Sequence, residues 1–152
     1  MRFRRSVTAS VVMLLVVAAC TSDEPTAESV CLDAVGEIQV AVQTYQELLE
    51  TGVEQMRDDD AVEKLRSVSD RYSELLDELN ERESTVPAEA RRSHDLLAGG
   101  VGMQASAWSS VSDGLRFRDP DLIDDAAELI ELSRQLVEES ALATPDCSAT
   151  DN

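Results

Sequence analysis

A chain of 152 residues with 31 acidic and 13 basic side chains has a formal charge of −18, which excludes a surface built to hold nucleic-acid phosphates or anionic lipid headgroups and favours cationic partners. Aromatic residues make up only 3%, with two Tyr, one Trp and two Phe, too few for the strands of a β-sandwich. Ala, Leu, Glu and Arg are among the commonest residues instead, and these favour helices.

The amino terminus has its own logic. Arg2, Arg4 and Arg5 precede an apolar run over residues 7–17, and Ala18, Ala19 and Cys20 follow it. This is the order of an export signal, and the apolar run is shorter than the roughly 20 residues a bilayer core requires. Val17-Ala18-Ala19-Cys20 resembles the lipobox of bacterial prolipoproteins. That resemblance implies cleavage before Cys20 and a diacylglycerol on its thiol, hence an extracytoplasmic protein attached to the cell membrane through its lipid. An ordinary secretory signal is the alternative, but ordinary secretion gives no reason for a thiol directly after the small pair. Twelve of the 13 basic residues are arginine, which looks like the coding bias of a GC-rich bacterium. The helical remainder resembles small lipoproteins of such bacteria. The division expected is a signal over residues 1–19, a lipidated cysteine and polar tether over 20–29, a bundle over 30–147 and an unstructured tail over 148–152.

Four amphipathic segments follow. Val35, Ile38, Val42, Tyr45, Leu49, Gly52 and Met56 alternate steps of three and four, which is one face of a helix. Asp58, Asp59 and Asp60 break it, and Asp60 with Glu63 forms the capping pair expected for the second helix. There Val62, Leu65, Ser69, Tyr72, Leu76 and Leu79 repeat the pattern, widened by Val68 and Leu75. Ser84 to Pro87 is the next break, with the proline placed in a first turn. The third helix runs through Ala90, His94, Leu97, Val101, Ala105, Trp108, Val111 and Leu115, weakened by Gly99, Gly100 and Gly102. Asp119 and Pro120 start the fourth, with Leu122, Ala126, Leu129, Ser133 and Leu136 on one line and Ile123, Ile130 and Val137 beside it.

Four such segments with short breaks predict an all-α, antiparallel up-down-up-down four-helix bundle. Cysteine parity argues the same way. With Cys20 assigned to the anchor, Cys31 and Cys147 remain as a pair that an exported protein is expected to oxidise, two buried thiols being the alternative. An even number of antiparallel helices brings them to one end, whereas three would separate them by about 40 Å, far beyond disulfide reach.

Three features are candidates for function. Asp58, Asp59, Asp60, Asp119, Asp121, Asp124 and Asp125 gather at the end away from the tether, where they would bind a cation or a basic partner, or else cap the helices beginning there. Neither run fits a calcium loop, since Ser69 and Ile130 stand where a bidentate Glu is required. Tyr45 and Tyr72 are nearly equidistant from the Asp turn, so a hairpin sets both at one level, either lining a small pocket or packing with their hydroxyls reaching water. Ala98, Gly102, Ser106 and Ser110, with Met103, Gln104 and Trp108 nearby, form a line of small residues that allows close helix packing or leaves a groove for a ligand or partner helix. His94, the lone histidine, reads as a packing or surface residue, with metal ligand or proton acceptor as the alternative.

No metal, cofactor or catalytic motif is expected from these residues. The reading that follows is a lipid-anchored extracytoplasmic bundle acting as a binding or protein-interaction module of the cell envelope. An envelope hydrolase with a carboxylate site inside the bundle, or a structural spacer, is the alternative.

Overall fold

The computed structural model describes residues 25–150. The stretch expected to be an export signal, Cys20 and residues 151–152 lie outside the described residues. Four helices make an up-down-up-down bundle: α1 (Ala27–Gln55), α2 (Ala61–Arg82), α3 (Ala88–Phe117) and α4 (Pro120–Leu142). Short 3-10 turns follow α2 at Glu83–Thr85 and close the chain at Cys147–Thr150, so the stretch expected as a tail begins as an ordered turn. No helix among the described residues is long and apolar enough to cross a membrane.

Each helix boundary has a local cause. Thr26 starts α1, inside the stretch expected to be tether, by accepting the Ser29 N–H on its hydroxyl at 3.1 Å. Asp60 occupies the cap position of α2 but makes no side-chain cap bond, because its carboxylate pairs with Lys64 one turn on. The expected Asp60 and Glu63 capping pair therefore does not form. Pro87 stands one place before the first residue of α3 rather than within its first turn. Arg118 ends α3 in the left-handed region at φ 56°, after which Asp119 accepts the Asp121 N–H at 3.1 Å and α4 begins.

Of the three glycines expected to weaken α3, Gly100 instead fits it to α4, as does Gly114 further along. Ser93, Gly100, Ala107 and Gly114 recur every seven residues on α3 and are all buried; Ser140 and Ser133 of α4 stand opposite Ser93 and Gly100, and Asp119, just before α4, stands opposite Gly114. A Cβ on Gly100 would lie 2.8 Å from Val137 Cγ2, and one on Gly114 would lie 2.6 Å from Ile123 Cγ1. Between them the helices approach closely enough for hydroxyls to reach the opposing backbone. Ser93 Oγ donates to the Ser140 carbonyl at 2.8 Å and Ser140 Oγ to the Ser93 carbonyl at 2.7 Å. This line has a period of seven, whereas Ala98, Gly102, Ser106 and Ser110 step by four along a face that is half-buried or exposed.

One continuous core runs through the bundle, with Trp108, Tyr72, Leu48, Leu65 and Leu97 as its largest fully buried side chains. Cys31 and Cys147 form a disulfide with their Cα atoms 5.7 Å apart, tying the start of α1 to the end of the chain. The α1 face is rotated from the one expected: Ala34, Ala41 and Leu48 are buried, while Val35, Val42 and Leu49 are half-buried and Met56 is exposed.

Candidate functional site

The two tyrosines meet at mid-bundle, as the hairpin register requires, but they fill the space between the helices and line no pocket. Their rings contact edge to face, with centroids 5.6 Å apart, and both are buried. Neither hydroxyl reaches water. Tyr72 Oη donates to the Tyr45 carbonyl at 2.8 Å. Ser133 Oγ spends its proton on the Gly100 carbonyl, also at 2.8 Å, so at Tyr45 the phenol donates and Ser133 accepts. The chain of bonds thus passes from α2 to α1, α4 and α3.

Burial raises the pKa of both phenols, with the Ser133 bond opposing it at Tyr45 and the Tyr45 charge adding to it at Tyr72. Both remain protonated donors at neutral pH, which suits them to holding helices and not to nucleophilic chemistry. Beside them Gln104 and Trp108 are fully buried and close enough to the Tyr72 hydroxyl to oppose the rise in its pKa, although neither the Gln104 amide nor the Trp108 indole N–H makes a hydrogen bond of good geometry. Trp108 packs its ring onto Gly52 of α1, where a Cβ would lie 2.5 Å from Cζ2. Gly102 and Met103 lie apart from this layer, half-buried, with Gly102 facing Leu76 of α2.

Of the seven aspartates at the end away from the disulfide, Asp58 and Asp60 form ion pairs and Asp119 caps α4. Asp58 and Asp60 both hold Lys64 Nζ at 2.8 Å, which raises the Lys64 pKa and holds the Asp60 carboxyl below the usual carboxylate range. Asp119 caps α4 through the Asp121 N–H, and Asp59 is exposed. No group of three or more His, Cys, Asp or Glu among the described residues is placed to hold a metal ion. His94 is buried, and its Nε2 lies 3.0 Å from the Leu79 carbonyl, so Nε2 donates and ties α3 to α2. No carboxylate is among the buried side chains of the described residues, so the core holds no acid and base pair of the kind a glycosidase-like hydrolase needs.

A concave surface does form, and at a place the sequence reading passed over. Away from the Asp58 to Asp60 turn, α1 and α2 part to leave a groove of about 790 Å³. Its floor is mostly apolar, with Ile38, Ala41 and Leu48 from α1, Leu75 and Leu79 from α2, and Val86 from the turn before α3, and the buried His94 of α3 also lines it. Leu32 and Val40 stand on its α1 rim, 54% and 65% exposed, and Arg71, Glu74 and Glu78 stand on the α2 rim. The ion pair between Arg82 and Glu37 links the two rims. Two of the α1 residues that line the groove, Ala34 and Ala41, are small. The signal in the sequence is a second line on α1, Leu32, Gly36 and Val40, at steps of four.

Comparison with protein-family models, with curated proteins and with solved structures finds no match for this chain.

Proposed function

We propose that this chain is a binding module of the cell envelope, tethered to the outer side of the membrane through a lipid on Cys20. The observation that supports binding is the groove between α1 and α2, whose volume of about 790 Å³ lies in the range of ligand and peptide sites and whose rim leaves apolar side chains in water. The tyrosine layer and the α3 and α4 seam are closely packed. Anchoring is supported by Val17-Ala18-Ala19-Cys20 after its basic and apolar run. The partner in this reading is an envelope protein, and the acidic surface disfavours nucleic acid.

Two measurements test it separately. Metabolic labelling with a fatty acid should mark the chain, and Cys20→Ala should lose the label and release the protein from membranes. Crosslinking in the native envelope should trap a protein partner; a chain that is trapped with none, from any face, is a spacer.

A further inference from the structure

We propose that the groove between α1 and α2 receives a basic amphipathic helix of a partner protein. This rests on the reading of the chain as a binding module and names the class of its partner. The helix glycines set the argument. Gly52, Gly100 and Gly114 each stand where a Cβ would collide with a neighbour, but a Cβ on Gly36 would meet nothing within 4 Å. Glycine is the poorest helix former after proline, and nothing in the bundle requires it at this position. A glycine facing open space between Leu32 and Val40, at steps of four along the rim, lets a second backbone come close.

Size and openness favour a helix over a small ligand. The lined stretch of α1 from Leu32 to Leu48 is about 24 Å long, or four to five turns, enough for apolar anchors at successive turns of a docked helix. A thin apolar molecule would leave Leu32 and Val40 wet. Charge then selects among helices. Glu37 is paired with Arg82, which leaves Asp33, Glu74 and Glu78 against Arg71, a net negative lining on a protein of charge −18. A second copy of this chain and an anionic lipid are both repelled, whereas a helix with an apolar stripe flanked by Lys and Arg is complementary.

The test places a photo-crosslinking side chain in the full chain in its native envelope, at Thr44 on the groove rim and, in a second protein, at Glu128 on the exposed face of α4. Mass spectrometry then reads the trapped segment. The expected result is a partner segment with apolar residues at steps of three and four flanked by basic residues, trapped from Thr44. Gly36→Leu should reduce that product by about tenfold, as a steric block at an interface does, without lowering the melting temperature, and Glu74→Lys with Glu78→Lys should also reduce it. Trapping from Thr44 of another copy, a lipid or an acidic segment overturns the inference, as does a product unchanged by Gly36→Leu. Products from Glu128 alone overturn it while leaving the binding module standing. Products from neither position overturn both.

Discussion

The hydroxyl of Tyr45 on α1 donates to Ser133 Oγ on α4 across 2.8 Å, and Ser133 passes its own proton to the Gly100 carbonyl of α3. The helices α1 and α4 otherwise stand apart, so this bond is a main tie between them.

Its two partners are not equivalent. Tyr45→Phe removes a donor and leaves Ser133 bonded to Gly100, so it should cost about 1 kcal/mol. Ser133→Ala leaves the Tyr45 hydroxyl buried without an acceptor and should cost more, about 1–3 kcal/mol. Urea denaturation of both single variants and the double variant measures this, and the double should cost less than the sum of the singles. Equal single effects that add would mean the bond carries no coupling.

Glycine substitutions should divide by site. Gly52→Ala puts a methyl against the Trp108 ring and should destabilise by about 1–3 kcal/mol. Gly36→Ala meets open space and should stabilise by about 0.5–1 kcal/mol, since alanine is the better helix former. Thermal melts of the two proteins should therefore shift in opposite directions. A shared direction would contradict the packing described.

The disulfide spans 116 residues, so replacing Cys31 and Cys147 together by Ser should remove about 4–5 kcal/mol in the chain-entropy model. Its loss should be felt first in α1, whose amino-terminal half borders the groove. Hydrogen exchange followed by mass spectrometry should show faster exchange over residues 27–41 than over α3. Uniform acceleration would place the clasp's effect on the whole fold.

Stability should fall at both extremes of pH, for different groups. Burial raises the folded pKa of Tyr45 and Tyr72 above the unfolded value of 10.0, so their contribution is complete below that value and is lost as pH rises through the folded values. Lys64 lowers the folded pKa of Asp60 below 3.8, so that contribution is present above 3.8 and is lost as pH falls through the folded value. Denaturant midpoints between pH 8 and 12, roughly spanning this window, should drop in the wild type and drop less in Tyr72→Phe. Asp60→Asn should flatten only the acid limb. An alkaline limb unaffected by Tyr72→Phe would assign it to other groups.

Local physics made much of this architecture readable. Ile38, Tyr45, Leu65, Tyr72, Leu97, Val101 and Trp108 lie on lines of period three and four, and all are buried. Asp119 caps α4 because its carboxylate sits two residues before an unsatisfied N–H, which is a local relation. The tyrosine hydroxyls were not readable. Periodicity placed both rings inward, but only the opposing backbones supply the Tyr45 carbonyl and the Ser133 hydroxyl that satisfy them. Asp60 was misread because the Glu63 pairing and the Lys64 pairing are both local, and the ion pair prevailed.

By itself the sequence determined the helical class and the even number of helices, because hydrophobic period and chain parity are properties of order along the chain, and it made a Cys31 to Cys147 disulfide the expected pairing. The tertiary structure alone decided which small residues bring helices together and where a groove stays open. Gly36, Gly52, Gly100 and Gly102 are alike as letters. Their difference is what stands opposite each: open space at Gly36, Trp108 at Gly52, Val137 at Gly100 and Leu76 at Gly102.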